Sequence, residues 1–219
     1  MNTPPQPTEH TFDRRYWESH WNDSILRGSH QAPPHPHLDA QISGLLPGRA
    51  LDAGCGTGAE TIRLAEAGWS VTGADISAGA LSVARGRAKS AGVRDRVSWL
   101  EADLGVWEPA RPFDLVLTAF AHPAMPQLDF YARIARWVTP GGTLLIFGHA
   151  AHASDASDAS DASHAEHPHE ASASAAGITA LLPAGQWHID TAEEVVVPGT
   201  HPGGAGSRVD VIVRATRIG

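Results

Sequence analysis

The chain has 219 residues, 42% of them hydrophobic, so one domain with a real core is possible and global disorder is excluded. Acidic residues outnumber basic ones 24 to 16, and this net charge of −8, without any basic run, argues against a nucleic acid partner. One cysteine excludes a disulfide framework, and the absence of a long apolar run or secretory signal predicts a cytoplasmic protein with no membrane partner.

The N-terminal segment, residues 1–37, is predicted to be separate in character from the rest. Residues 1–11 are rich in Pro and Thr, and Phe12 to Leu26 carries aromatic residues at helical spacing, which indicates an amphipathic helix. Leu38 to Leu46 is predicted as a short helix that Pro47 and Gly48 end. The main domain is expected to span residues 38–219.

From Arg49 onward, short apolar runs alternate with helical patterns. The predicted strands are Arg49–Ala53, Trp69–Ala74, Val97–Glu101, Phe113–Ala119 and Thr143–Gly148, and the predicted helices between them are Thr57–Ala67, Ser77–Ser90 and Asp129–Val138. This alternation is typical of βαβ units in a doubly wound α/β fold.

Residues 150–176 interrupt the pattern with a Ser-Asp-Ala repeat and a His-rich stretch, which together predict a disordered surface insert. Structure is expected to resume at Ile178. Gln186–Pro198 and Arg208–Arg217 are predicted to be an antiparallel pair of final strands. The expected architecture is a mostly parallel, seven-stranded sheet whose final strand is antiparallel.

A glycine cluster, LDAGCGTG, stands where the first strand ends and a helix begins, the place at which α/β sheets bind ligands. Gly54 and Gly56 allow a tight turn and close approach of a ligand, while Gly58 lets the helix pack near the strand. Cys55 lies inside this turn, where its thiol is expected to be packed rather than reactive.

Two acids follow the next two strands. Asp75 comes about 20 residues after Gly54, the spacing at which a carboxylate accepts hydrogen bonds from both hydroxyls of a ribose. Helix capping is the alternative for Asp75, although Ser77 already offers it. Asp103 ends the third strand, so three successive strand ends carry an acid and outline a nucleoside-shaped site.

The glycine spacing distinguishes between nucleosides. Nicotinamide and flavin proteins use G-x-G-x-x-G to face a pyrophosphate, whereas this turn is G-x-G-x-G and follows Asp52. An acid at that place repels a pyrophosphate and suits a ligand with an ammonium group. S-adenosylmethionine has that group and no phosphate.

The successive motifs LDAGCGTG, GADIS, EADL, FDLVLTAF and WVTPGGTLLIFGH resemble those of class I S-adenosylmethionine-dependent methyltransferases, in order and in spacing. With RRYWESHW upstream, the chain is similar to the small-molecule branch that includes tellurite-resistance and thiopurine methyltransferases. The resemblance runs from about Leu38 to His149, roughly half of the chain.

The resemblance implies a role for each matching residue. Asp52 and the backbone of Gly54, Cys55, Gly56 and Gly58 hold the methionine moiety. Asp75 takes the ribose hydroxyls, with Ile76 against the adenine. Asp103 meets the adenine amino group beside the Leu104 backbone, and Ala119 and Phe120 lie beside the sulfonium.

The acceptor side is less defined by the sequence. His122 is either a general base for the acceptor or a loop histidine bonded to backbone before Pro123. Tyr16, Trp17 and Trp21 either cover the cofactor and acceptor or staple their helix to the core. His149, His152, His164, His167 and His169 surround the insert without a fixed spacing, so no functional metal site is expected.

The sequence therefore predicts an enzyme that transfers a methyl group from S-adenosylmethionine to a small soluble acceptor by in-line displacement. A non-catalytic S-adenosylmethionine-binding module and a nucleotide-dependent oxidoreductase are the alternatives. Both a monomer and a homodimer are compatible with the sequence.

Overall fold

A computed structural model describes residues 12–28, 31–150, 172–198 and 207–219. The helices are α1 (Arg14–Leu26), α2 (Leu38–Ile42), α3 (Ala59–Glu66), α4 (Ala78–Ser90), α5 (Gln127–Ala135) and α6 (Ala175–Thr179). The strands are β1 (Arg49–Ala53), β2 (Ser70–Asp75), β3 (Val97–Glu101), β4 (Phe113–Ala119), β5 (Val138–Ala150), β6 (Ser172–Ala173), β7 (Trp187–Pro198) and β8 (Ser207–Arg217).

The strands form one mixed sheet in the order β3-β2-β1-β4-β5-β8-β7, with β6 paired to β5. The first five strands are parallel, β8 runs antiparallel to β5, and β7 runs antiparallel to β8. The predicted doubly wound sheet and its antiparallel final pair are thus confirmed. The two-residue strand β6 is an addition that the sequence pattern did not predict.

Both faces of the sheet are covered, which explains why its central strands are continuous apolar runs. In β4, Val116 packs with α5 residues such as Phe130 on one face. Its neighbours Leu115 and Leu117 pack with Leu64 of α3 on the other face. Successive strand residues point to opposite faces, so a strand buried on both sides has no polar alternation.

The predicted end of α5, Val138, and the predicted start of β5, Thr143, were wrong. The helix ends at Ala135 rather than Val138, because Val138 pairs with Phe113 and belongs to β5. Two steps along β4, from Phe113 to Leu115, stand opposite five steps along β5, from Val138 to Thr143. The Pro-Gly-Gly sequence is therefore absorbed as an irregularity of the strand.

The C-terminal bound of the predicted insert also differs from the structure. Ser172 and Ala173 pair with β5, and α6 begins directly afterwards at Ala175. Ser174 caps this helix by accepting a hydrogen bond from the Gly177 N–H, and Ile178 buries its side chain in the core. Residues 151–171, which hold most of the predicted insert, lie outside the described residues.

Helix α1 lies across the carboxyl ends of the parallel strands. Asp13 caps it through the Tyr16 N–H, and no residue within the helix is fully buried. Glu18 ties it to α4, since its carboxylate accepts hydrogen bonds from the Ala78 N–H (2.8 Å) and the Ser77 hydroxyl (3.1 Å). Arg14 donates to the Ile76 carbonyl at 2.8 Å and pairs with Glu101.

Candidate active site

A cavity of about 1160 Å³ opens at the carboxyl ends of β1 to β5. In the strand order, β1 and β4 are neighbours from which the chain winds in opposite directions, and this is the point at which such sheets bind ligands. Residues from α1, from the loop before α2 and from β8 complete the wall. The cavity exceeds the usual ligand-pocket range of roughly 300–1,000 Å³, so it has room for two ligands.

Most of the predicted site residues line this one cavity. They are Tyr16, Trp17, Trp21, Gly54, Cys55, Gly56, Asp75, Ile76, Asp103, Leu104, Ala119 and His122. Asp52 and Gly58 are not part of its wall. The structure thus brings together residues that are up to 106 positions apart in the printed sequence.

The glycine turn is built from backbone groups. The N–H groups of Gly54 and Cys55 both donate to the Ala74 carbonyl, at 2.8 and 3.0 Å, which ties the turn to the end of β2. Gly54, Gly56 and Gly58 have φ angles of 82°, 50° and 81°, a region that favours glycine. The turn therefore needs glycine for its conformation as well as for space.

Space is also limited at all three glycines, and a Cβ on Gly54 would lie 2.2 Å from the Ala121 Cβ. A Cβ on Gly56 would lie 2.6 Å from the Trp21 ring of α1. A Cβ on Gly58 would lie 2.7 Å from the Trp99 ring, and thus Gly58 serves the packing of the helix on the sheet, as its spacing suggested. The first glycine pair faces the cavity and the third faces the core.

Asp75 holds the turn and the start of α4 at once. Its two carboxylate oxygens accept hydrogen bonds from the Gly56 N–H at 2.8 Å and from the Ser77 N–H at 2.9 Å. Burial raises the pKa of Asp75, while these backbone hydrogen bonds act to lower it. Ser77, not Asp75, caps α4 through the Ala80 N–H. Asp75 is thus a rigidly held acid at the cavity wall.

Asp103 lies farther along the same wall and is exposed. Its Oδ1 accepts a hydrogen bond from the Gly105 N–H at 2.8 Å, which fixes the loop after β3. Ile76 and Leu104 line the cavity between the two acids. The acids and the flat apolar surface between them suit a nucleoside.

Asp52 lies behind the turn rather than at the cavity. Its carboxyl group is only 1% exposed and accepts a hydrogen bond of 2.6 Å from the Thr61 hydroxyl of α3. Burial, followed by the charge of Glu60, raises the pKa of Asp52 to about 8, so the group is mostly protonated at neutral pH. A direct contact between Asp52 and a ligand ammonium group is not supported by this position.

Glu60 is a cavity-wall acid that the sequence interpretation missed. It lies in the first turn of α3, directly after the glycine turn, and accepts a hydrogen bond of 3.0 Å from the His35 N–H. Burial raises the pKa of Glu60, and the His35 N–H acts in the opposite direction. An acid in the first turn after a glycine turn is a signal that could have been found.

Cys55 is buried, as expected, and no disulfide forms through this single cysteine. Burial, followed by the charges of Asp52 and Asp75, raises the pKa of its thiol. A raised pKa keeps the sulfur protonated and weakly nucleophilic.

The opposite wall is aromatic. Phe12 and the ring of His122 lie 5.7 Å apart, and Trp17 donates from its indole nitrogen to the His122 carbonyl at 3.0 Å. His149 stacks on His122 with ring centroids 5.5 Å apart. Trp17 and Trp21 both line the cavity and also contact the domain, so their position is compatible with either of the two predicted roles.

The tautomer of His122 follows from its neighbour. The Gln127 amide donates from Nε2 to the Ala121 carbonyl at 2.9 Å, which turns its Oε1 toward His122 Nδ1 at 3.1 Å. An amide oxygen only accepts, so Nδ1 carries the hydrogen and Nε2 is the basic nitrogen. The His122 side chain is buried at the cavity wall.

Phe120, directly after β4, has a strained backbone conformation. It is the non-glycine residue with positive φ in the described ranges, at 54°. Such strain costs on the order of 1–3 kcal/mol and persists where the surroundings impose it, often at functional sites. The Phe120 N–H donates to the Phe147 carbonyl at 2.9 Å, and its ring faces the cavity.

Neither a metal cluster nor a membrane helix is found in the parts of the chain that the structure describes. No three His, Cys, Asp or Glu side chains there lie close enough to share an ion. Four of the five histidines near the predicted insert, His152, His164, His167 and His169, lie outside those residues. No described helix has the length and apolarity needed to cross a membrane.

Comparison with known proteins agrees with this geometry. Residues 50–142 match the family model described as a methyltransferase domain. A trans-aconitate 2-methyltransferase from Azoarcus sp. is 34% identical over 147 residues, 64% of this chain and 53% of that protein. A probable thiol methyltransferase from Arabidopsis thaliana is 31% identical over 134 residues, 59% of each. The chain thus spans only about half the length of the curated relatives that it matches.

The fold has a solved counterpart in magnesium protoporphyrin IX methyltransferase from Synechocystis, determined with bound S-adenosylhomocysteine. The two align with a TM-score of 0.67 over 93% of this chain and 97% of that one, at 20% sequence identity. This likeness shows the fold. Residues 50–142, which contain the glycine turn and most of the parallel strands, are thus similar to a methyltransferase domain.

Proposed function

We propose that the protein binds S-adenosylmethionine in the cavity and transfers its methyl group to a small acceptor. The observation that carries this proposal is that the glycine turn, Asp75 and Asp103 share one wall of a cavity whose opposite wall is aromatic. The bound cofactor supplies an activated methyl group, which a nucleophile takes by in-line displacement. The chain itself orients the two reactants and excludes water. Good orientation lowers the activation free energy by roughly 7–11 kcal/mol.

The residues present fit this cofactor. Asp75 would hold the ribose hydroxyls, Ile76 and Leu104 would contact the adenine, and Asp103 its amino group. Gly56 lines the cavity beside the Trp21 ring, and a side chain at this position would clash with that ring, so glycine keeps the backbone of the turn accessible there. The ammonium and sulfonium groups of this ligand also suit the carboxylates of Glu60, Asp75 and Asp103 on the cavity wall.

Glu60 is our candidate for the acid that meets the methionine ammonium group. It faces the cavity in the first turn after the glycine turn, whereas Asp52 is turned toward Thr61 and mostly protonated. Asp52 then acts indirectly, by fixing Thr61 and α3. A cation beside Glu60 favours its charged form and offsets the effect of burial on its pKa.

His122 is our candidate for a base that takes a proton from the acceptor. Gln127 orients the His122 ring so that Nε2 is the basic nitrogen. His122 lines the same cavity as Ala119, the last residue of β4. His122→Asn should lower turnover without changing S-adenosylhomocysteine affinity, and should remove the acidic limb of the pH–rate profile. A turnover and pH profile equal to those of the wild type would leave His122 a packing residue only.

The relatives do not assign the acceptor. Their names include trans-aconitate, demethylmenaquinone and thiols, which differ in the atom and in the charge that they present.

The deciding experiment is a calorimetric titration of the purified protein with S-adenosylmethionine and S-adenosylhomocysteine, with NADH as the control ligand. Micromolar binding of the first two without NADH binding supports the cofactor assignment. Methyl transfer to any member of an acceptor panel then separates an enzyme from a binding module. Binding of NADH alone would replace the proposal with an oxidoreductase.

A further inference from the structure

Acidic and basic side chains line different parts of the cavity wall. Glu60, Asp75 and Asp103 follow β1, β2 and β3 in the chain, while Asp13 and Asp23 line the wall at α1. Arg208 of β8 lines another part of the wall. The remaining lining arginines of the described chain are Arg14 of α1, which pairs with Glu101, and Arg27 directly after α1, which is mostly exposed beside Asp23.

Arg208 is held by one edge of its guanidinium group. Its Nε donates to both carboxylate oxygens of Asp210, at 2.8 and 3.0 Å. Within the described part of the chain, Arg208 donates its hydrogen bonds from Nε. The Nη1–Nη2 edge belongs to a side chain that is 33% exposed and lines the cavity.

Asp210 is itself held from behind. Its side chain is fully buried and accepts a hydrogen bond from His35 Nε2 at 3.1 Å. The His37 N–H donates to His35 Nδ1 at 3.2 Å, so the hydrogen of the neutral imidazole lies on Nε2 and points to Asp210. Burial acts to raise the pKa of Asp210, but the hydrogen bonds from His35 and Arg208 outweigh it and the pKa is lowered. Asp210 is therefore an anion that fixes the guanidinium plane.

Flat rings surround the fixed guanidinium group. It lies over the Phe120 ring, 5.0 Å from the centroid, and His149 lies 4.8 Å from the same ring. The strained backbone of Phe120 holds its ring at this place. This planar cation, with planar rings beside it, matches a planar anion. A carboxylate pairs with one edge of a guanidinium group through two parallel hydrogen bonds.

We propose that Arg208 binds a carboxylate of the methyl acceptor, oriented by Asp210 and His35, and that the acceptor is a flat organic acid. The inference rests on the proposed function, since it treats this side of the cavity as the acceptor site. The carboxylate is the group that Arg208 recognises. The methyl group is transferred either to an atom outside this carboxylate or to one of the acid's own oxygen atoms. Asp210 and His35 are positioning residues.

The test uses 4-fluorobenzoate and its neutral counterpart 4-fluorobenzamide, with binding followed by fluorine NMR in the presence and absence of S-adenosylhomocysteine. The wild-type protein is expected to bind the acid at least about tenfold more tightly than the amide. Arg208→Gln should abolish this preference. Arg27→Gln, the matched loss of a cation at the rim of the same cavity, should leave it within about twofold.

Arg208→Lys extends the test if Arg208→Gln fails to fold. Lysine keeps the charge but has no edge that Asp210 could orient, so a preference for the acid of about threefold or less is expected. Equal affinities for acid and amide in the wild type, or an equal loss in the Arg27 and Arg208 variants, would overturn the inference. Calorimetry with S-adenosylhomocysteine is the separate readout of the proposed function, because it measures cofactor-site binding in the absence of any acceptor.

Discussion

The two sides of the cavity are built in different ways. On the cofactor side, the turn from Gly54 to Gly58 and the carboxylate of Asp75 are joined by backbone N–H groups over a short stretch of chain. On the acceptor side, side chains converge from distant segments, as His35 and Asp210 do across 175 positions. The first side is formed by motifs of adjacent residues, while the second is formed by residues that are far apart in the sequence. Cofactor chemistry is accordingly predictable from motifs, and acceptor chemistry from the tertiary structure.

Among the variants that test this comparison, Asp75→Ala is expected to have the largest effect on ligand affinity. Loss of the two backbone hydrogen bonds that Asp75 accepts, together with its ribose contacts, should weaken S-adenosylhomocysteine binding by about 2–4 kcal/mol, or thirty- to a thousandfold. Calorimetry measures the affinity. Asp114→Ala is the control, because Asp114 accepts the Arg49 N–H in the same manner at the far end of the sheet. A loss below about threefold for Asp75→Ala would mean that the ribose is held elsewhere.

A comparison of Glu60→Gln with Asp52→Asn distinguishes the two acids near the turn. Glu60→Gln should weaken S-adenosylhomocysteine binding about tenfold or more, since a hydrogen bond to a charged group contributes roughly 1.5–3 kcal/mol. Asp52→Asn keeps a partner for Thr61 and should change the affinity by less than about threefold.

Methylthioadenosine, which lacks the amino-acid end, is the matched ligand for this comparison. Its affinity should not respond to Glu60→Gln. An equal loss for both ligands would show that Glu60 supports the turn and does not meet the ammonium group, and a larger loss in Asp52→Asn would reverse the assignment.

The buried proton of Asp52 predicts how stability depends on pH. The folded pKa of Asp52, about 8, lies above its ordinary value of 3.8, so the folded state binds this proton more tightly. That stabilisation is complete below the unfolded pKa and is lost as the pH rises through 8. Between pH 6 and 8, the wild type should therefore lose about 2 kcal/mol of unfolding free energy relative to Asp52→Asn. Urea unfolding at each pH measures the difference, and parallel curves would mean that Asp52 is ionised in the fold.

The smallest expected effect concerns the contact between the turn and α1. Gly56→Ala places a Cβ in the left-handed region and 2.6 Å from Trp21, which should lower the unfolding free energy by about 1–2 kcal/mol and displace α1. Gly86→Ala is the control: it lies in α4 with open space around its Cβ position, so it should stabilise by up to about 1 kcal/mol.

The double variant Gly56→Ala/Trp21→Ala separates strain from the clash. If Trp21 is the obstacle, its removal recovers part of the stability lost in Gly56→Ala, and the two changes are not additive. Strict additivity would show that the turn and α1 are independent.

The fold was largely predictable because its signals are local. Strand β4 reads as a continuous apolar run since both of its faces are buried, and Ser77 caps α4 as its position suggested. The predicted end of α5 and the predicted start of β5 were wrong, because Val138 belongs to the strand and not to the helix. Whether a β-branched residue continues a helix or enters a strand depends on its partner, here Phe113, which the local sequence does not show.

The amino-acid sequence by itself determined the glycine turn, the acids at the strand ends and hence the nucleoside side of the cavity, because these depend on backbone conformation over a few adjacent residues. Only the tertiary structure decided that Glu60 rather than Asp52 faces the cavity, and that His35 and Asp210 hold Arg208 beside Phe120. Which way a side chain points, and what it meets across the sheet, is settled when distant segments pack, so no local pattern records it.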